Sequence, residues 1–137
     1  MATNNTAFEA PDRRFAWYCA EPINKYEAVI VDENGTLVPA NATNTTETAA
    51  FVGVCQYGAE TAGEMVTVVK GAFPVVANGP IQAGELVIAT DGTTVVNDKT
   101  FHTVGPATSE SLLTSNVLGT ALTSSTAEGD LITILIK

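Results

Sequence analysis

Pro22-Ile23-Asn24-Lys25-Tyr26-Glu27-Ala28-Val29-Ile30-Val31 returns 58 positions later as Pro80-Ile81-Gln82-Ala83-Gly84-Glu85-Leu86-Val87-Ile88-Ala89. Each copy runs into turn residues, Asp32-Glu33-Asn34-Gly35-Thr36 in the first and Asp91-Gly92-Thr93 in the second. The match resumes downstream. Val52-Gly53-Val54 and Gly63-Glu64-Met65-Val66-Thr67-Val68-Val69 correspond to Leu118-Gly119-Thr120 and Gly129-Asp130-Leu131-Ile132-Thr133-Ile134-Leu135, both glycines displaced by the same 66 positions. A spacing kept between separate matched segments marks an internal duplication. One copy of this length buries too little surface to stand alone. The two halves, 22–71 and 80–137, are therefore expected to pack on each other as a single β domain over 22–137.

The matched phrases are rich in Val, Ile, Thr and Phe and are bounded by Gly, Pro, Asn or Asp. That pattern predicts strands over 27–31, 36–38, 51–56, 64–69, 73–76, 85–90, 93–96, 101–104, 117–122 and 130–136. Asn34-Gly35 and Asp91-Gly92 read as hairpin turns, since these residue types tolerate positive φ. The phrase Gly-acid-apolar-Val/Ile at Gly63, Gly84 and Gly129 reads as a tight turn feeding a strand, which makes Glu64, Glu85 and Asp130 solvated turn residues. The polar stretch 41–50 reads as an exposed loop. Helical periodicity is confined to Thr108-Ser109-Glu110-Ser111-Leu112-Leu113, enough for a turn or two. The expected fold is all-β: a small β-barrel or β-clip-like body built from an internal duplication, with an extended N-terminal arm.

Composition narrows the function. The 137 residues carry fifteen acidic against six basic side chains, a net charge of -9, which repels nucleic acid and anionic membranes. Charged residues make up 15% of the chain, where ~25% is usual, and Thr (20) and Ala (19) supply more than a quarter of it. A surface so lightly charged suits a partner that covers it. No apolar run approaches ~18 residues, and the start MATNNTAFEAPDRR lacks the charged-then-apolar order of a secretory signal, so neither a membrane span nor export is expected.

Catalytic equipment is sparse. Cys19 and Cys55 are too few and too far apart for a disulfide framework or a CxxC motif, and read as buried or half-buried thiols. His102 is the only histidine, which excludes histidine-pair metal sites and histidine relays; it reads as a hydrogen-bonding spacer at a strand end. The Asp-x-Asp-x-Asp-Gly calcium loop is missing. None of Lys25, Lys70, Lys99 or Lys137 follows a glycine, so there is no Walker A loop, and neither GxGxxG nor GxSxG occurs. The Asn-x-Ser/Thr matches at Asn4, Asn34, Asn41 and Asn44 are expected by chance in a chain this rich in Thr. No catalytic residue, cofactor or metal is assigned, and nothing argues for an enzyme.

Residues 1–21 show no counterpart in the second copy at this level, yet with Tyr26 they hold five of the nine aromatics, Phe8, Phe15, Trp17 and Tyr18 being the others. Arg13 and Arg14, the only arginines, lie in the same stretch. Trp, Tyr and Arg dominate interface hot spots, because they combine contact area with directional polar groups. The stretch therefore reads as a docking arm whose partner-binding residues are Phe8, Arg13, Arg14, Phe15, Trp17 and Tyr18. Such a segment is held by adding a strand to a neighbouring sheet edge. The competing reading folds Phe15, Trp17 and Tyr18 back over an open end of their own barrel.

Residues 27–137 resemble a family of small tailed-phage proteins, formerly a domain of unknown function and sometimes mislabelled as recombinases. The resemblance rests on Val52-Gly53-Val54-Cys55, Gly63-Glu64-Met65-Val66-Thr67-Val68, Gly71-Ala72-Phe73-Pro74-Val75 and Ile81-Gln82-Ala83-Gly84-Glu85-Leu86-Val87. It continues from Leu118-Gly119-Thr120-Ala121-Leu122 to Gly129-Asp130-Leu131-Ile132-Thr133-Ile134. It implies a head decoration, or capsid cement, protein: a small β-barrel or β-clip-like homotrimer, made in the host cytoplasm and bound to the outer surface of the virion's capsid. Its partner would be the major capsid protein, at junctions between subunits. A recombinase would need a nucleotide site, which the missing Walker A loop denies. The alternative is an adhesion or carbohydrate-binding module on a virion or cell surface, with Thr/Asn-rich loops and aromatics meeting sugars.

Overall fold

The computed structural model describes residues 9–45, 51–107 and 117–137. They form β1 (Ala10–Tyr18), β2 (Ala28–Val31), β3 (Leu37–Pro39), β4 (Phe51–Tyr57), β5 (Met65–Val76), β6 (Leu86–Val96), β7 (Lys99–Pro106), β8 (Val117–Ala121) and β9 (Leu131–Ile136). The fold is all-β, as expected. Eight strands follow one antiparallel path, β3-β2-β4-β5-β9-β8-β6-β7, which curls almost to closure as a barrel, and β1 joins it along β5. The helical turn expected at 108–113 and residues 46–50 of the polar stretch lie outside the described residues. Of the rest of that stretch, Thr45 is buried, its hydroxyl donating to the Asn41 carbonyl at 2.7 Å.

Two turn assignments change. The strands expected at 64–69 and 73–76 are one continuous β5, with Gly71 at φ 94° inside it. Likewise β6 runs straight through Asp91-Gly92, where the register with β7 is merely irregular. The hairpin is turned instead by Asn97 (φ 52°) and Asp98 (φ 67°), which carries the ladder on to Val96↔Lys99. Two successive left-handed residues suit the twist of a hairpin, and moving the turn outward adds four cross-strand pairs, Thr93↔His102 to Val96↔Lys99. Asp32 does hold a turn: its Oδ1 accepts the backbone N–H groups of Asn34 and Thr36, both at 3.0 Å.

The duplication is written in the backbone. Each half contains two turns of one type: Asn24 to Glu27 and Thr61 to Glu64 in the first, Gln82 to Glu85 and Ala127 to Asp130 in the second. In each, the acid's N–H donates to the carbonyl three residues back, at 3.2, 3.3, 3.1 and 3.2 Å. The acid's carboxylate accepts the N–H of that same residue, at 2.7, 2.7, 2.6 and 3.1 Å. The third residue is left-handed: Tyr26 (φ 80°), Gly63 (91°), Gly84 (94°) and Gly129 (93°). Glycine adopts this freely, whereas a side chain costs ~1–2 kcal/mol. Tyr26 tolerates it because its ring packs on Phe73, 5.7 Å between centroids. Glu64, Glu85 and Asp130 are thus solvent-side turn residues as expected, and they also satisfy backbone donors.

Pairing closes within each half. In the first, β1 lies on β5, β5 on β4, β4 on β2 and β2 on β3, with a Leu37–Cys19 bridge completing the ring. In the second, the end of β5 lies on β9, β9 on β8, β8 on β6 and β6 on β7, closed by a Val104–Ala77 bridge. Strand β5 therefore serves both halves. The register also gives β1 a counterpart that the sequence concealed, namely the second part of β5. Phe15 faces Val68 as Phe73 faces Ile134, and Trp17 faces Val66 as Val75 faces Ile132. The spacing is again 58 positions, but Arg14-Phe15-Ala16-Trp17-Tyr18 shares only its phenylalanine with Ala72-Phe73-Pro74-Val75-Val76. Backbone pairing needs no side-chain identity, so the strand survives where the resemblance does not.

The first half has its own core of Cys19, Ile23, Val29, Leu37, Cys55, Ala59, Val66 and Val68. The equivalent residues of the second half, Ala77, Ile81, Val87, Ala121, Ile132 and Ile134 among them, share one cluster with Ala28, Ile30, Ala40, Val54 and Val69 of the first half. The outer face of the first half thus covers the core of the second, and Phe73 is fully buried at this joint. Polar ties flank it. Glu27 Oε2 lies 2.7 Å from both the backbone N and Nδ1 of His102, and Asn24 Nδ2 donates to the Thr100 carbonyl at 2.7 Å. His102 is hydrogen-bonded as expected, but it lies inside β7 rather than at a strand end, because the longer hairpin carries the strand past it on both sides.

Two outcomes are expected. Where β8 crosses β9, a Cβ on Gly119 would overlap the Leu135 carbonyl oxygen; one on the equivalent Gly53 would lie 2.5 Å from Val68 Cγ1 and 2.7 Å from the Val69 oxygen. Gly119→Ala and Gly53→Ala should each lower stability by about 1–3 kcal/mol, whereas Gly79→Ala, which meets open space, should not. Urea midpoints check this, and an unshifted Gly119→Ala midpoint refutes the close-approach argument. The second outcome concerns pH. Hydrogen bonding to Glu27 raises the His102 pKa, with burial opposing it. A raised folded pKa gives stability that is fully present below the unfolded value of ~6.5 and is lost as pH climbs through the folded value. Melting temperature should therefore fall across that alkaline window, and His102→Gln should flatten the fall; an unchanged slope would sink the assignment.

Candidate functional site

The stretch marked by its aromatics forms β1. Phe8 lies outside the described residues; Arg13, Arg14, Phe15, Trp17 and Tyr18 all sit on the strand and are exposed, the three aromatics at 44%, 46% and 50%. Eight antiparallel pairs, from Ala10↔Ala72 to Tyr18↔Met65 with Asp12 bulged out between Pro11 and Arg13, fix β1 to β5 of the same chain. Among the described residues its other edge meets a strand only just past its end, where Cys19 bridges Leu37 of β3. Its start is fastened as well. Glu9 Oε2 meets Lys25 Nζ at 2.9 Å and accepts the Tyr26 hydroxyl at 3.0 Å, and the Lys25 ammonium stands 5.0 Å from the centre of the Tyr26 ring. The Lys25 partner lowers the Glu9 pKa, and Glu9 in turn raises that of Lys25.

A strand sends alternate side chains to opposite faces, and directly paired residues share a face. Phe15 and Trp17 therefore lie on the side of Val68 and Val66, over the first half's core. Trp17 is anchored there, its Nε1 donating to the Gly35 carbonyl at 2.6 Å and so reaching the turn between β2 and β3. Tyr18 lies on the opposite side with Met65, and Thr67 links that side to Ala16 and Tyr57. Arg14 is drawn in, its Nε donating to Gln56 Oε1 at 3.1 Å, while Arg13 stays exposed.

The structure thus brings five of the six predicted residues onto one strand and adds two that sequence reasoning missed. Tyr57 (59% exposed) and Met65 (54%) come from β4 and β5, far from the aromatic stretch in sequence. Met65 had a detectable signal, because it alternates with the apolar Val66 and Val68 and so takes the other face of its strand. Tyr57 had none, since a β4 irregularity between Cys55 and Tyr57 resets its register.

These groups offer contact area and directional donors already held in place, so a partner would bind with little ordering cost. Cys19 and Cys55 are free and buried, and burial pushes the Cys55 thiol up to about 12, far from thiolate chemistry. Among the described residues no three His, Cys, Asp or Glu side chains gather to hold a metal ion, and no helix is long and apolar enough to cross a membrane.

No family model matches the chain, and no curated protein matches it. Among solved structures it is similar to the N base of the head fibre protein gp8.5 of bacteriophage phi29, with a TM-score of 0.60 and 18% identity over 91% of this chain and 93% of that one. The similarity spans both halves, and at this identity it establishes a common fold.

Proposed function

We propose that this chain is a structural protein of a phage head. In this reading it is a homotrimeric decoration, or cement, protein on the outer surface of the assembled capsid, stabilising junctions between major capsid protein subunits. The observation that carries the reading is a rigid, exposed aromatic strand on a fold shared almost end to end with the base of a phage head fibre. The sequence phrases that resemble tailed-phage decoration proteins point the same way.

The mechanism is binding without bond chemistry. A protein that binds only the assembled lattice stabilises it by linkage, and three linked copies multiply that affinity through avidity. Tyr18, Met65 and Tyr57 supply the contact: two aromatic rings and a flexible thioether for area, and the two phenol hydroxyls for directional bonds. A second reading, a sugar-binding module, draws on the neighbouring Trp17 and Tyr18 rings, 6.0 Å apart and inclined at 59°. It calls for glycan-array binding that Trp17→Ala abolishes.

The test uses shells assembled without this protein. Adding it back should restore resistance to heat and osmotic shock. The double substitution Tyr18→Ala with Tyr57→Ala, on exposed positions, should weaken shell binding at least ~10-fold while leaving the melting temperature of the free protein near wild type. Shells that gain no resistance overturn the cement reading. Binding that the double substitution leaves intact overturns this contact surface.

A further inference from the structure

The joint between the halves leaves an apolar face unmatched at each end of the molecule. Inside the chain, Phe73 is covered by the outer face of the first half, where Ala28, Val54 and Val69 share its cluster and Phe51 packs against it. Phe15 is the counterpart of Phe73, yet among the described residues no such outer face covers it, and it stands 44% exposed against 0% for Phe73. At the other end, the outer face of the second half has nothing to cover. The counterparts there of Ala28, Phe51, Val54 and Val69 are Leu86, Val117, Thr120 and Leu135. These four line a groove of about 460 Å³, with Leu86 at 41% and Leu135 at 52% exposure.

We infer that the groove of one copy receives the Phe15 face of a second copy of this chain, repeating between molecules the joint made within each. The occupant follows from continuity. The groove is the same face of the same repeat that covers Phe73 inside the chain, and Phe15 holds the same place in its ring of strands as Phe73. The substitutions across the repeat reshape this face, opening it at Gly84 and Val117 and filling it at the two leucines. Tyr26, whose ring packs on Phe73, becomes Gly84, while Ala28 and Val69 enlarge to Leu86 and Leu135. Such a contact joins two different surfaces, so it is heterologous and builds a ring or a filament rather than a closed pair.

The polar ties are not repeated. Glu27 and Asn24 reach His102 and Thr100 on the long β6–β7 hairpin, whereas the corresponding hairpin of the first half ends at the short turn of Asp32 to Thr36. The joint between copies is therefore apolar and reversible. With a net charge of -9 on each copy, it strengthens as salt screens their repulsion, the opposite of an ionic contact. Phe15 and Trp17 point to the sister copy; Tyr18, Met65 and Tyr57, on the other side of β1, stay free for the shell.

The test is the mass of the purified full-length chain in solution, by sedimentation over a concentration series at low and high salt. No shell is present, so the outcome bears on contact between copies, the trimer included, and leaves the capacity to stabilise shells to its own test. Wild type should form assemblies that grow with concentration and with salt. Phe15→Asp and Leu135→Asp should each sediment as the single chain of 14.2 kDa, while Val95→Asp, on the β6–β7 hairpin, should assemble like wild type. A mixture of the two single-chain variants should give a two-chain species, since each retains the face the other lacks. Should one variant lose its folded melting transition, the other decides. A wild type that stays single-chain throughout, variants that still assemble, or a mixture of single chains would each overturn the inference.

Discussion

Each half of this protein closes a ring of five paired strand segments around a core too small to seal itself, and the side of that core at the first strand stays open. Everything else answers that deficit. In the second half the opening at Phe73 is sealed by Ala28, Val54, Val69 and the ring of Tyr26, all from the first half. A half of roughly sixty residues buries too little of its surface to be robust alone. Adding the neighbour's outer face turns a half-open core into a continuous one. The sharing of β5 follows from the same need, because a strand that ends one ring and begins the next fixes the two halves in the orientation that brings Tyr26 onto Phe73. His102 and Thr100 then tie the long hairpin back across the joint.

Much of this could be read before any coordinates. The paired spacings of 58 and 66 positions named the duplication, and the Gly-acid phrase located three of the four capped turns. The fourth was hidden because a tyrosine holds the left-handed position there, and only the contact with Phe73 makes that placement tolerable. Strand β1 was hidden for a different reason: its ladder to β5 depends on backbone groups, which carry no residue signature, and four of its five repeat-equivalent side chains have changed. Asp91-Gly92 misled because a favourable turn dipeptide competes with the pairs a longer hairpin can make, and local propensity lost. The candidate contact surface was legible as a type of residue but not as a surface. Aromatics and arginines near the start stand out in composition, whereas the meeting of Tyr18 with Met65 depends on register.

The side chains of β1 show how one duplicated strand has been turned to a different use. Its counterpart in β5 is built for burial, with Phe73 and Val75 at 0% and Val76 at 2% exposure. The same places in β1 hold Phe15, Trp17 and Tyr18, the last two larger than their counterparts and all three about half exposed. Enlarging apolar side chains where nothing covers them raises aggregation risk, and the strand also presents an unpaired edge. Pro11, Arg13 and Arg14 blunt that edge, and Trp17 gives its indole N–H to Gly35, so the surface is held rather than loose. A held aromatic surface loses little freedom on binding, which suits a protein whose work is to make contacts and keep them.

A tandem repeat joined head to tail always leaves two unmatched faces, whatever the number of repeats, unless it closes on itself. Two repeats in one chain make a single internal joint and leave the Phe15 face and the Leu86–Leu135 groove open. Evolution can deal with such ends by making them polar or by joining them. Polar ends would show charged residues at the positions equivalent to the joint. Here Ala28 and Val69 have instead become leucines and Phe73 has remained a phenylalanine as Phe15, so both ends keep an apolar centre, with Thr120 and Lys137 beside it in the groove's lining. Removing that surface from water is favourable at ~25 cal/mol per Å², and the repeat already supplies a complementary shape for it. Association between copies is thus the same packing problem as the fold, solved once inside the chain and again between chains.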